Sequence, residues 1–146
     1  MTAIVQGTRR RALQRVAVLV TIAIGGGLAC QDTIVRSLAP ENNPQEYVQP
    51  DSFRFQAFEL NNVTDELTWT WPNTGSVAVV MHRSFVHHGH GRIVILDAQA
   101  DTVYDVGTLE NELDNETAES TSGDWTITLQ LFGAKGRVDF SVVRKP

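Results

Sequence analysis

The sequence predicts an all-β fold over residues 51–146: a seven- or eight-stranded antiparallel β-sandwich, or a related jelly-roll-like domain. From Phe53 onward, apolar and polar residues alternate in short runs, which is the period of half-buried strands. Glycine, asparagine and aspartate separate these runs and favour turns. No segment repeats apolar residues at helical spacing over about ten positions. Two packed sheets would bury the apolar face of each strand.

The first predicted strands follow directly from this alternation. Phe53 and Phe55 alternate with polar residues, and residues 67–71 repeat the pattern with leucine and two tryptophans. A Pro-Asn-Thr-Gly turn then separates them from the run 77–81. That run is apolar on both faces, which is typical of a central strand.

The second half of the domain completes the prediction. Residues 92–106 contain two apolar runs around a short connection and predict a hairpin. Residues 108–120 are acidic and threonine-rich, and they predict an edge strand followed by a loop. Residues 125–142 predict a C-terminal hairpin that turns at 133–136, where two glycines lie.

Residues 1–29 predict a signal peptide. Four arginines lie between positions 9 and 15, and residues 16–29 that follow carry no charge. This apolar stretch is shorter than the roughly 20 residues that a membrane-spanning helix requires. We therefore expect cleavage of the segment rather than a stable transmembrane anchor.

The Gly-Leu-Ala-Cys sequence at 27–30 resembles the lipobox of bacterial lipoproteins. The resemblance implies that Cys30 is lipidated and becomes the mature N-terminus, and Gln31 after it implies the outer membrane, with the domain facing the periplasm or the surface. The alternative is ordinary cleavage before Cys30, which would leave a free thiol on an exported protein. Proline-rich residues 30–50 have no apolar period and predict a flexible linker behind the lipidated cysteine.

Charge narrows the range of partners. Residues 30–146 carry eight basic and seventeen acidic side chains, a formal net charge of −9. Nucleic acid is excluded as a partner, because phosphate backbones are bound mainly by clustered lysine and arginine. The predicted partners are a membrane, reached through the lipid anchor, and an unidentified protein or glycan.

The closing segment resembles a known class of domain. Gly-Asp-Trp-Thr-Ile at 123–127, followed by Gly-Arg-Val-Asp-Phe-Ser-Val at 136–142, resembles the last strands of bacterial pre-peptidase C-terminal domains and of uncharacterised small bacterial lipoproteins. The resemblance covers about residues 51–146. It implies a β-sandwich and says little about function.

All four histidines fall close together, at His82, His87, His88 and His90. Imidazole is the commonest protein ligand for zinc and copper, so the cluster is a candidate metal site. No carboxylate or thiol lies between positions 83 and 96 to complete a ligand set. The favoured interpretation is therefore a solvated hairpin loop over 86–91.

Two further groups have alternative interpretations. Trp69, Trp71 and Trp125 could form an aromatic platform for sugar rings, with Trp71 the first to test, but their spacing with aliphatic neighbours favours core packing. The aspartates could bind calcium, although turn capping is favoured because their spacing fits no known calcium loop. These aspartates are Asp97, Asp101, Asp105 and Asp124.

No catalytic motif supports an enzyme. The sequence has no Gly-x-Ser-x-Gly elbow, no His-Glu-x-x-His and no phosphate-binding loop. The sequence thus predicts a non-catalytic, membrane-anchored envelope lipoprotein that acts as a binding or accessory module, without a resident cofactor. The alternative is a periplasmic or surface metal-binding protein that uses the histidine cluster.

Overall fold

The computed structural model describes residues 35–107 and 109–146. In that part of the chain every strand pair is antiparallel, and the seven strands form one hydrogen-bonded sheet. A 3-10 helix at Pro40–Asn42 precedes them. The strands are β1 (Gln45–Gln49), β2 (Ser52–Asn73), β3 (Ala78–His82), β4 (Phe85–Leu96), β5 (Thr102–Val106), β6 (Leu113–Glu116) and β7 (Gly123–Arg144). The predicted all-β antiparallel class is confirmed.

Two long strands organise the sheet. β2 and β7 are 22 residues each and pair along their length, from Ser52 opposite Val143 to Asn73 opposite Gly123. The other edge of β7 pairs first with β4 and then with β3. The short strands β1, β5 and β6 extend β2, β4 and β3, respectively.

The sheet folds over on itself to make two layers. Phe53 and Trp69 lie near opposite ends of β2, and a straight strand would separate them by about 50 Å at about 3.3 Å per residue. Their ring centroids are only 5.2 Å apart. Register shifts between Ala57 and Asp65 bend the strand, and residues with left-handed backbone lie within this stretch. The two halves of the long pair therefore face each other as a β-sandwich.

The core fills the space between the layers. Trp71 and Trp125 are fully buried and meet edge to face, with centroids 5.8 Å apart and an interplanar angle of 87°. Each indole N–H is satisfied: Trp71 donates to the Gln49 carbonyl and Trp125 to the Thr121 carbonyl. Burying an aromatic side chain of this size contributes at least about 2 kcal/mol, so these rings are major determinants of stability.

The predicted C-terminal hairpin at 125–142 is wrong. β7 continues without reversal through 133–136, paired with β2 on one side and β4 on the other. Gly133 (φ 58°) and Gly136 (φ 130°) adopt backbone conformations that favour glycine, and they bend the strand from one layer to the other. β2 bends in the same way, so the runs at 53–56 and 67–71 are parts of one strand rather than two.

The flexible linker predicted for residues 30–50 is also wrong over its described part. β1 pairs with β2, and the Trp69 indole donates a 2.8 Å hydrogen bond to Glu46. Nearer the start, Arg36 bridges to Val63. Polar composition suggested a linker, but an edge strand needs few apolar residues of its own when tryptophans of the neighbouring layer supply the contact. Cys30 and the predicted signal peptide lie outside the described residues.

Other expectations are confirmed. β4 and β5 form the predicted hairpin within 92–106, and β6 is an edge strand with all four residues exposed. Among the described residues, no helix is long and apolar enough to cross a membrane.

Candidate functional site

A recess of about 770 Å³ lies where the sheet bends between its two layers. Four chain segments meet there: the residues around the 3-10 helix, the irregular part of β2, the start of β4 and the bend of β7. This volume is within the range of small-molecule sites in proteins. The lining residues are Glu41, Asn43, Phe58, Glu59, Phe85, His87, Gly136 and Arg137. We call this the bend recess.

An exposed ring pair forms the aromatic part of the bend recess. Phe85 and His87 are alternate residues of β4, and their ring centroids are 5.6 Å apart with an interplanar angle of 31°. Phe85 is 53% exposed, so a large apolar ring faces solvent, whereas Ile93 and Ile95 of the same strand lie in the core. Phe58 on β2 adds a partly buried ring to the lining.

Charged side chains surround these rings. Glu41 belongs to the 3-10 helix, and Glu59 lies on the bend of β2. Arg137 lies on β7, where it pairs with Phe85 of β4. All three are exposed. The bend recess therefore combines an apolar surface with two carboxylates that accept hydrogen bonds and a guanidinium that donates them.

Gly136 permits the close approach of β4 and β7 at the bend recess. A Cβ built at this position would overlap the carbonyl oxygen of Phe85, and its φ of 130° already disfavours other residues. The glycine thus places Phe85 and His87 against Arg137.

The structure separates the four histidines by environment. His82 is 1% exposed on β3, and neither ring nitrogen has a hydrogen-bond partner. Burial lowers the pKa of this imidazole, and Arg83 lowers it further, whereas Asp114 raises it. His87, His88 and His90 are exposed residues of β4, so the hairpin loop predicted over 86–91 is wrong.

The metal interpretation gains no geometric support. Within residues 35–107 and 109–146, no group of three or more histidine, cysteine, aspartate or glutamate residues is arranged to hold a metal ion. The zinc or copper site stays a prediction, and a shared site would need the buried His82 to leave the core.

The tryptophans belong to the core, as the favoured interpretation predicted. Trp71 and Trp125 are fully buried, and Trp69 is 9% exposed. Trp71 therefore offers no exposed indole face on which a sugar ring could stack in this structure. Its N–H is also already donated to the backbone.

Two of the four aspartates proposed for calcium, Asp97 and Asp105, have structural partners. Asp97 accepts hydrogen bonds from the N–H groups of Gln99, Asp101 and Thr121. Burial raises the pKa of Asp97, but these backbone bonds outweigh it and leave the pKa below its usual value. Asp105 accepts hydrogen bonds from Nε and Nη2 of the Arg92 guanidinium. Turn capping and ion pairing account for both side chains.

The sequence prediction missed most of the bend recess. Of its residues, only His87 belonged to a candidate site. Phe85 and His87 do alternate in the sequence, a strand signal that the adjacent glycines and histidines obscured. Residues 41 and 58–59 are brought to Arg137 only by tertiary folding.

Comparisons with known proteins identify no family. No family model matches the chain, and no curated protein matches it. The resemblance to pre-peptidase C-terminal domains therefore extends no further than the β-sandwich.

Solved structures give distant similarities. The C-terminal CBM6 of LamC, a marine laminarinase from Zobellia galactanivorans, is 12% identical with a TM-score of 0.40, over 70% of this chain and 90% of that one. A carbohydrate-binding module from Cellvibrio mixtus lichenase 5A in complex with cellotriose is 12% identical with a TM-score of 0.39, over 76% and 99%. TmCBM61 with β-1,4-galactotriose is 16% identical with a TM-score of 0.37, over 70% of each. Similarities this distant identify neither a family nor a ligand for this chain.

Proposed function

We propose that this protein is a non-catalytic envelope module, anchored through a lipid on Cys30, that binds a neutral oligosaccharide in the bend recess. The observation that carries the proposal is the exposed Phe85–His87 ring pair surrounded by charged hydrogen-bonding groups. A sugar presents an apolar C–H face and a rim of hydroxyl groups. The rings match the face, and Glu41, Glu59 and Arg137 match the rim.

The distribution of exposed apolar side chains favours a glycan over a protein partner. A stable protein interface buries about 800 Å² on each side around an apolar centre. Of the large exposed apolar residues in the described chain, only Phe85 lines the bend recess. These exposed residues are Val35, Tyr47, Phe85, Leu113 and Phe132.

The charges of the bend recess favour a neutral sugar over an acidic one. Two carboxylates and one guanidinium line it, so a uronate or sulfate group would meet more negative than positive charge. The mature chain, with its net charge of −9, adds to this repulsion.

A lipid on Cys30 would hold the bend recess near the membrane. Val35 is the first described residue, and the intervening chain can span at most about 18 Å, at up to about 3.6 Å per residue. This reach is shorter than the one expected from a linker ending at residue 50. The proposed ligand would therefore meet the domain close to the membrane surface.

The binding test uses three neutral tetrasaccharides: cellotetraose, xylotetraose and chitotetraose. Calorimetric titration should detect binding of at least one, and Phe85→Ala should weaken it about tenfold, equivalent to about 1.4 kcal/mol. Phe132→Ala is the matched control, because Phe132 is 51% exposed but lies outside the bend recess. If none of the three binds, or if the two variants behave alike, the proposed site is wrong.

The anchoring test is Cys30→Ser. This variant should move from the membrane fraction to the soluble exported fraction, since it lacks the thiol that would carry the lipid. Mass spectrometry of the wild-type N-terminus should show acyl groups. An unmodified terminus would contradict the anchor.

A further inference from the structure

Asn42 lies where two segments that line the bend recess meet. Its chain neighbours Glu41 and Asn43 belong to one segment, and Phe58 and Glu59 belong to the other; we call these two segments the walls. Asn42 itself is 4% exposed, although it is a polar residue in a 3-10 helix of three residues. A buried amide needs partners for its hydrogen-bonding atoms, and these partners reveal its role.

The Asn42 side chain connects the two walls directly. Its Nδ2 donates to the carbonyl oxygens of Phe58 and Glu59, at 3.3 and 3.1 Å. Its Oδ1 accepts a 3.1 Å hydrogen bond from the Ala39 N–H. All three groups that an amide can offer are used, and the two carbonyls fix which end carries nitrogen.

The backbone on both sides of this connection is in a costly conformation. Asn43 has φ 46° and Glu59 has φ 51°, both in the left-handed region that non-glycine residues rarely adopt. Such residues persist where surrounding bonds hold them. The Asn42 amide donates such a bond to the Glu59 carbonyl, whereas the Asn43 N–H donates to the Pro40 carbonyl.

The remaining attachments of this segment lie away from the bend recess. The Leu38 N–H donates to Asp65, and Arg36 exchanges backbone hydrogen bonds with Asn62 and Thr64. None of these residues lines the bend recess. They hold the segment on the domain elsewhere, whereas Asn42 joins it to β2 at the bend recess.

We infer that Asn42 is a positioning residue for the ligand: by joining the 3-10 segment to β2 it holds Glu41 beside Phe58 and Glu59, so that a sugar can contact both walls. This inference rests on the proposed function. Three substitutions would each disturb this bonding. Aspartate would place a carboxylate against two carbonyls, alanine would remove the donor to both carbonyls, and glutamine is longer by one methylene.

The test compares Asn42→Asp and Asn42→Ala with Asp65→Ala. The Asp65 variant removes one hydrogen bond of the same segment, from the Leu38 N–H, at a place outside the bend recess. With cellotetraose, xylotetraose and chitotetraose as probes, both Asn42 variants should bind the wild-type ligand about tenfold more weakly. Asp65→Ala should bind it like wild type. Circular dichroism melts establish that each variant is folded at the titration temperature.

A double-mutant cycle separates positioning from general stability. If Asn42 acts through Glu41, the Asn42→Asp change should cost much less affinity in a Glu41→Ala background than in wild type. Equal losses in the two backgrounds, or an unchanged affinity of Asn42→Asp, would overturn the inference while leaving the proposed function intact.

Amide hydrogen exchange tests, without a ligand, whether the Asn42 side chain holds the 3-10 segment on β2. Amides at residues 42–43 should exchange faster in Asn42→Ala than in Asp65→Ala. Equal exchange rates in the two variants would contradict the proposed role of the Asn42 side chain. If wild type binds none of the three sugars, the proposed function fails instead, and the positioning role fails with it.

Discussion

Replacing Gly136 with alanine should destabilise the domain severely. The residue has φ 130°, and a side chain in such a conformation costs about 1–3 kcal/mol. A Cβ there would also overlap the Phe85 carbonyl, which is backbone and can move only if β4 shifts relative to β7. The two effects together predict a loss of about 3 kcal/mol or more in the free energy of unfolding.

The assay for this variant is urea denaturation followed by tryptophan fluorescence, since Trp71 and Trp125 lie in the core. A loss of about 3 kcal/mol corresponds to a fall in Tm of about 10 °C in a domain of this size. Gly107→Ala is the control, because a Cβ at Gly107 would contact nothing within 4 Å. If the free energy of unfolding of Gly136→Ala lies within about 0.5 kcal/mol of that of Gly107→Ala, the close approach of β4 to β7 at Gly136 is wrong.

Three further predictions concern other parts of the structure. Because burial lowers the pKa of His82, the unfolded chain binds its proton first as pH falls, so stability should decline below about pH 6.5 by up to about 1.4 kcal/mol for each unit of pKa difference. In urea titrations between about pH 7 and pH 5, above the range in which the carboxylates of both proteins take up protons, the decline should be larger in wild type than in His82→Phe. A protein of residues 51–146 lacks β1 and the partners of two buried indoles, and its Tm should lie at least about 10 °C below that of residues 35–146 in calorimetry. Replacing exposed His88 and His90 with serine should change stability by no more than about 0.5 kcal/mol, and a wild-type Tm that rises with zinc while the variant's does not would restore the metal interpretation.

The sequence predicted the strands well because alternation reports directly which face of a strand is buried. Phe53, Phe55 and Trp125 all lie in the core, as their spacing indicated. Where the strands end was harder to predict. A glycine pair such as that at 133–136 favours a turn in isolation, and only pairing on both sides of β7 turns it into a bend within a strand.

The polar start of the domain was mispredicted for a related reason. β1 has no apolar alternation because its residues are exposed or partly exposed, and its stabilising contacts come from Trp69 and Trp71 of another layer. Composition reports what a segment can bury by itself. It cannot report that Glu46 will accept a hydrogen bond from an indole that lies 23 residues away.

The bends in β2 and β7, which the sequence did not predict, also form the candidate site. In a regular ladder every residue pairs with one on the neighbouring strand. The register shifts around Leu60 leave Phe58 and Glu59 without a paired residue on β7, at the point where the sheet changes layer. Phe58, Glu59 and Arg137 lie in that stretch, and Gly136 brings β4 against it. The fold therefore needs the bend in order to close its two layers, and the bend exposes rings and charges that a straight strand would pair or bury. A ligand that contacts both Glu41 and Phe58 would also hold the bend closed, so ligand binding should raise the Tm of wild type more than that of Asn42→Ala.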